Sequence, residues 1–195
     1  MTIDNIFSEM GKNRAAWAKQ MAAIRDRDDL SETGKRQELG KGYAKAMEKH
    51  KQLMADYREH ITAARATLEP AAFAPTFPAL ATTGEKQQIR QALAVAMERL
   101  DGKDSREFGG LLERAKRTED TLTPLAIANV LYERDADVGR IVEAVPHRAD
   151  QIKALYEFDA THGQKQNRNT KLAIRMHTTS PTRPQEIFEG DMALD

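Results

Sequence analysis

Leu39, Tyr43, Ala46, His50, Leu53, Tyr57, Ile61, Ala64 and Leu68 recur at steps of four and three, and the positions between them are mostly polar or charged. This spacing holds one narrow stripe on a single side of a long α-helix, the pattern of a coiled-coil seam rather than of a globular core helix. Such a helix cannot bury its stripe alone. The stripe is either the inner face of a helical hairpin within the chain, or a face that also packs on copies of itself or on another protein. Leu39, Tyr43, His50, Leu53, Tyr57 and Ile61 are therefore the candidate partner-binding residues of the seam.

The flanking sequence supplies a partner. Ile3, Met10, Trp17 and Ile24 fall seven apart, with Phe7 and Met21 between them, which predicts a first helix over about 4–27. Ser31 is a good N-cap for the next helix, Glu32 suits its positive end, and Leu30 can serve as a hydrophobic staple. The second helix is then expected from about Glu32 to Leu68, ending before Pro70. At 1.5 Å per residue it would be roughly 55 Å long. A short turn between two heptad-patterned segments most simply gives an antiparallel hairpin. The first helix is shorter by about a third, so part of the second must find its partner elsewhere.

Pro70, Pro75 and Pro78 fall within nine residues and predict an extended, stiff linker over 70–82. Phe73 and Phe77 are unusual in a free linker and are expected to dock it on a surface. Beyond it, short amphipathic segments at 84–100, 105–117, 123–134, 138–144 and 149–158 predict a small helical domain over 83–160. Thr123-Pro124 reads as an N-cap followed by proline at the first helical position. No periodic pattern persists after His162, and 161–195 reads as an extended, charged tail. The expected architecture is all-α: a long antiparallel coiled-coil hairpin over 1–69, the Pro-rich linker, the small helical domain and the tail.

Composition fits elongated helices better than a compact enzyme: 40% hydrophobic and 31% charged residues, with only 6% aromatic. Acids and bases balance at 30 each, so overall charge points to neither nucleic acid nor membrane. Locally the balance breaks. Lys165, Arg168, Lys171, Arg175 and Arg183 lie in a stretch without acids, and Glu186, Glu189, Asp191 and Asp195 follow. Arg168, Lys171 and Arg175 are thus candidates for electrostatic docking by the tail. The absence of cysteine excludes disulfides, thiolate nucleophiles and zinc–thiolate sites. No stretch approaches the roughly 20 apolar residues that span a bilayer, and the N-terminus lacks the order of a secretory signal, so a cytoplasmic setting without a membrane partner is expected.

Catalytic and metal-binding patterns fail on spacing. His50 and His60 share the long helix but lie ten apart, not the four apart of a helical zinc pair. Asp26, Asp28 and Asp29 resemble a calcium loop, yet Leu30 and Ser31 occupy the ligand and sharp-turn glycine positions. Gly34-Lys35 and Gly40-Lys41 lack the spacing of a phosphate loop. Neither a catalytic site, a metal nor a cofactor is expected. The helices between Thr123 and Phe158 present Asp135, Asp137 and Asp150 where a DNA-reading helix needs cations. Backbone contact by the basic 164–184 segment is the nucleic-acid alternative.

The turn Leu30-Ser31-x-x-Gly34-Lys35 between two charged helices resembles that of small helical proteins encoded among the structural genes of long-tailed bacteriophages. Leu125-Ala126-Ile127-Ala128 leading to Tyr132-Glu133-Arg134, then Val145-Pro146 and a last helix through Leu155, is similar to the C-terminal half of the same proteins. The resemblance covers most of 15–158 and excludes the tail. It carries no catalytic residues. It implies a virion-associated structural or assembly role, capsid-associated, scaffold-like or near the head–tail junction. The implied partners are other virion subunits and copies of the chain, assembled in the host cytoplasm.

Overall fold

Capping chemistry sets the helix starts. Thr2 Oγ1 accepts a hydrogen bond from the Asn5 N–H at 3.3 Å and opens α1 (Ile3–Arg25). Ser31 Oγ accepts from the Gly34 N–H at 3.1 Å at the start of α2 (Glu32–Phe73), the role its sequence position predicts. Thr82 and Glu85 form a capping box at α3 (Thr83–Leu100): the Thr82 hydroxyl accepts from the Glu85 N–H, and the Glu85 carboxylate accepts from the Thr82 N–H at 2.7 Å. α4 (Phe108–Arg117) and α5 (Leu122–Glu133) come next. Asp120, not Thr123, caps α5, accepting from the Leu122 N–H, the Thr123 N–H and the Thr123 hydroxyl. A single 3₁₀ turn at Pro146–Arg148 joins α6 (Val138–Ala144) to α7 (Ala149–Thr161), and α8 (Arg168–Thr178) is the last helix. This computed structural model describes residues 2–162 and 168–187, and among them every regular element is helical, as the all-α expectation has it.

The chain divides into two units, Met1–Ala63 with Asn167–Asp195, and Ala64–Gln166. In the first, α1 and α2 meet in opposite chain order. Ile6 and Met10 cluster with Leu53 and Tyr57, whereas Trp17 and Ile24 cluster with Leu39 and Ala46. Asn13, buried between these clusters, donates from Nδ2 to the Ala46 carbonyl at 2.9 Å. The C-terminal segment completes the unit: Ile174 of α8 packs on the Leu53–Tyr57 cluster and Ile187 on the Trp17–Leu39 cluster. The indole Nε1 of Trp17 donates to the Thr182 carbonyl at 2.8 Å, and Arg25 grips Glu186 through two hydrogen bonds at 2.7 and 2.9 Å.

The second unit is built around α5, whose sequence LTPLAIANVLYE is apolar on nearly every side, and a helix of that kind is a core helix. Leu125–Ala128 and Val130–Tyr132 are all buried. α3, α4 and α6 pack on α5, and α7 packs on α6.

Two further expectations are corrected. α2 does not stop before Pro70 but runs through it to Phe73. Proline in a last turn removes a single intrahelical bond. That loss is offset here because Ala72 and Phe73 are buried in the second unit's core, with the Phe73 ring 5.1 Å from that of Tyr132. The Ala72 carbonyl, left over at the helix end, accepts from Arg148 Nη1 at 3.2 Å. The extended segment is accordingly shorter than 70–82 and begins after Phe73. The tail of 161–195 is not wholly extended either, since α8 occupies Arg168–Thr178. Leu172, Ile174 and Met176 alternate with polar residues and alanine, and a period of two conceals a helix that fixes only one of the three, Ile174, against its unit.

Two glycines give opposite predictions. A Cβ on Gly42 would stand 2.6 Å from Trp17 Cζ3, whereas one on Gly11 meets nothing within 4 Å. Gly42→Ala should destabilise by about 1–3 kcal/mol through overpacking, and Gly11→Ala should stabilise by about 0.5–1 kcal/mol through helix propensity. Urea unfolding followed by Trp17 fluorescence measures both, and equal signs would refute the close approach of Trp17 to α2.

Candidate functional site

α8 presents one side to its unit and the other to solvent. On the inner side Ile174 is packed, and His177 stacks on Phe7 with ring centroids 4.8 Å apart and planes within 10°. Arg14 Nη1 donates to the Met176 carbonyl at 2.6 Å, and the Thr178 and Thr179 hydroxyls donate to the Ile174 and Arg175 carbonyls, so the C-terminal end of the helix is well satisfied. On the outer side Leu172 and Met176 are 58% and 65% exposed. They lie four apart and form one ridge. Lys171 and Arg175, also four apart and exposed, form the ridge beside it. Arg168 opens the helix; its side chain lies outside the described residues.

The seam residues lie elsewhere. Leu39, Leu53 and Tyr57 are buried and Tyr43 and Ile61 half-buried, in the clusters that α1 and the C-terminal segment close, and His50 is buried as well. Of the two aromatic residues expected to dock a linker, Phe73 is inside the second unit's core, and Phe77 is half-buried with the Arg90 guanidinium 5.3 Å from its ring centre.

Two buried polar groups stand out chemically. Asp159 of α7 is fully buried in the second unit. Its Oδ2 accepts from the Tyr132 hydroxyl and lies 3.5 Å from Arg65 Nη2, while Oδ1 has no hydrogen-bond partner. Burial pushes the Tyr132 phenol upward, and its bond to the Asp159 carboxylate pushes it further. Burial alone would lower the Arg65 guanidinium, but Glu69 at 3.1 Å and Asp159 reverse that and leave it raised. The three side chains tie α7 to α5 and to the last turns of α2. Asp159 Oδ2 is thus shared between the Tyr132 hydroxyl and the Arg65 guanidinium, and the clasp joins three helices of the unit. In the first unit His50 is 6% exposed with Nδ1 unpartnered, and burial, reinforced by the charge of Arg14, holds its pKa below the ordinary histidine value.

Among the described residues no group of three or more His, Cys, Asp or Glu side chains could hold a metal ion, and no helix is long and apolar enough to cross a membrane. No protein-family model matches the chain, and neither a curated protein nor a solved structure is detectably similar to it. Sequence reasoning picked out Lys171 and Arg175 but not the helix that carries them, and it missed Leu172 and Met176. The i, i+4 recurrence of both pairs was the available signal.

His50 makes stability depend on pH. Its folded pKa lies below the unfolded value of about 6.5, so above that value both states are neutral and stability is flat. Below it the unfolded chain takes up a proton that the folded chain refuses, and stability falls as pH drops towards the folded pKa. Thermal melts of the native chain should therefore decline from about pH 6.5 downward more steeply than those of His50→Gln. Parallel curves would show that His50 is not held neutral.

Proposed function

We propose that this chain is a non-enzymatic structural or assembly protein of a bacteriophage particle, and that it grips neighbouring subunits, copies of itself first among them. The observation that carries this reading is the outer face of α8. An apolar ridge of Leu172 and Met176 runs beside the cations Lys171 and Arg175, on a helix whose other side is anchored by Ile174, His177 and Arg14. Exposed apolar ridges rimmed by charge are the usual mark of protein–protein contact. The chain carries as many acids as bases, 30 of each, so a second copy can supply the carboxylates that those cations need. The opposite chain order of the α1 and α2 contacts, with seam residues at their centre, supports a coiled-coil hairpin as the scaffold that presents α8. The resemblance of residues 15–158 to phage structural proteins supports the virion setting.

The nucleic-acid alternative uses the same cations but leaves Leu172 and Met176 without a role, and so it ranks second. The two are separable because the chain has no cysteine. Met176→Cys introduces a unique thiol, to which a photo-crosslinker can be attached. Crosslinked multimers of the chain, abolished by Leu172→Asp and weakened by Lys171→Glu with Arg175→Glu, are expected, as is a larger mass by light scattering at high concentration. A chain that stays monomeric refutes self-contact. Affinity for duplex DNA that falls steeply with salt and is insensitive to Leu172→Asp would move the assignment to nucleic acid.

A further inference from the structure

The last turns of α3 and α4 and the first turn of α5 enclose an open cleft of about 440 Å³ in the second unit. That volume is within the range of small-ligand sites, roughly 300–1,000 Å³. The floor is apolar: Ala96 and Leu100 from α3, Leu111 and Ala115 from α4. Arg99 and Arg114 line it from the two helices, both are exposed, and neither forms an ion pair among the described residues. The other charged lining residues are already engaged. Lys103 lies 3.5 Å from the Glu107 carboxylate, and the carboxylate of Asp120 accepts from two backbone N–H groups and the Thr123 hydroxyl to cap α5.

Arginines in last turns are tolerated by the negative ends of their helices, but each end carries only about half a charge. The guanidinium planes keep donors available, and those donors match a carboxylate or a phosphate in bidentate fashion. A bare anion would leave the Leu100–Leu111 floor wet, and a bare hydrocarbon would leave the guanidinium groups without a counter-charge. We propose that the cleft binds an anionic amphiphile, a carboxylate or phosphate head held by Arg99 and Arg114 with its alkyl body on the apolar floor. The site is independent of α8 and of the assembly role.

The test titrates the full chain with octanoate, octyl phosphate, octanol and inorganic phosphate, following the Leu111 and Ala115 amide resonances. Octanoate and octyl phosphate are expected to saturate these shifts, and the tighter of the two identifies the head group. Octanol, which gives up the charged contacts to both arginines, should bind about 100-fold more weakly, and inorganic phosphate, which gives up the apolar burial of the alkyl body, at least about tenfold more weakly. Arg99→Gln and Arg114→Gln should each weaken binding about tenfold, whereas Arg106→Gln, a change of an exposed cation outside the cleft, should leave it intact. Salt supplies a check that needs no variant: raising NaCl from about 0.05 to about 0.5 M should weaken octanoate binding several-fold by screening. Absence of saturable binding by either anionic amphiphile overturns the proposal. So does octanol binding as tightly as octanoate, or binding that survives the paired Arg99→Gln and Arg114→Gln change.

Discussion

The burial of Trp17 organises the first unit. Its ring fills the space that Gly42 leaves open on α2 and lies 6.1 Å from the Tyr43 ring, and its Nε1 holds the backbone of Thr182. One side chain thus joins α1, α2 and the C-terminal segment. Covering an indole removes about 150–250 Å² of mostly apolar surface from water, a stabilisation on the order of 4–6 kcal/mol. The Arg25–Glu186 pair that also fastens the segment is about 40% exposed on both sides. An exposed pair of that kind contributes little. The segment is therefore held more by its hydrogen bond to Trp17 and by the buried Ile187 than by the ion pair. If the tryptophan pocket were lost, α8 would be left with Ile174, the Phe7–His177 stack and the Arg14 hydrogen bond.

The second unit relies on the opposite device. α5 is so uniformly apolar that hydrophobic contact alone leaves its rotation about its own axis weakly specified. Tyr132 breaks that degeneracy, because its hydroxyl must reach Asp159 on α7. Burying a carboxylate costs several kcal/mol, and here the Tyr132 donor and the Arg65 charge offset it while Asp159 Oδ1 stays unpaired. A node of this type adds little net stability. It penalises every packing in which Asp159 loses its partners, which is how a polar group inside an apolar cluster selects one arrangement.

Much of this was legible in the sequence, and the failures share a cause. The heptad-spaced Ile3, Met10, Trp17 and Ile24, the Ser31 cap and the short C-terminal helices follow from local periodicity and capping, which act within one or two turns. Periodicity failed where tertiary contact overrode a local rule. Pro70 argues against helix until the burial of Ala72 and Phe73 is counted, and that burial depends on Tyr132, far along the chain. α8 needs only Ile174 to face inward, so Leu172, Ile174 and Met176 read as a period of two, and the i, i+4 recurrence of Leu172/Met176 and Lys171/Arg175 spans too little chain to outweigh it. The Asp159–Tyr132–Arg65 clasp joins residues far apart in sequence and of ordinary type, and nothing local marks them.

Binding surface is what remains after internal packing has been satisfied. The seam that invites a partner is closed within its own unit, since Leu39, Leu53 and Tyr57 keep no more than 6% of their surface. The large apolar residues exposed among those described are Leu80, Val95, Leu172 and Met176. Leu80 and Val95 stand singly, and scattered exposed apolar residues are normal on any protein. Leu172 and Met176 differ because the helix sets them on one ridge, and because Lys171 and Arg175 run parallel to it with no carboxylate on their own helix. An apolar ridge alone invites non-specific association, and a cationic ridge alone attracts any polyanion. On the proposed reading, the two side by side would select a partner that offers both an apolar surface and acids in register with it. Such a combined requirement would give a short helix specificity beyond what its area could supply.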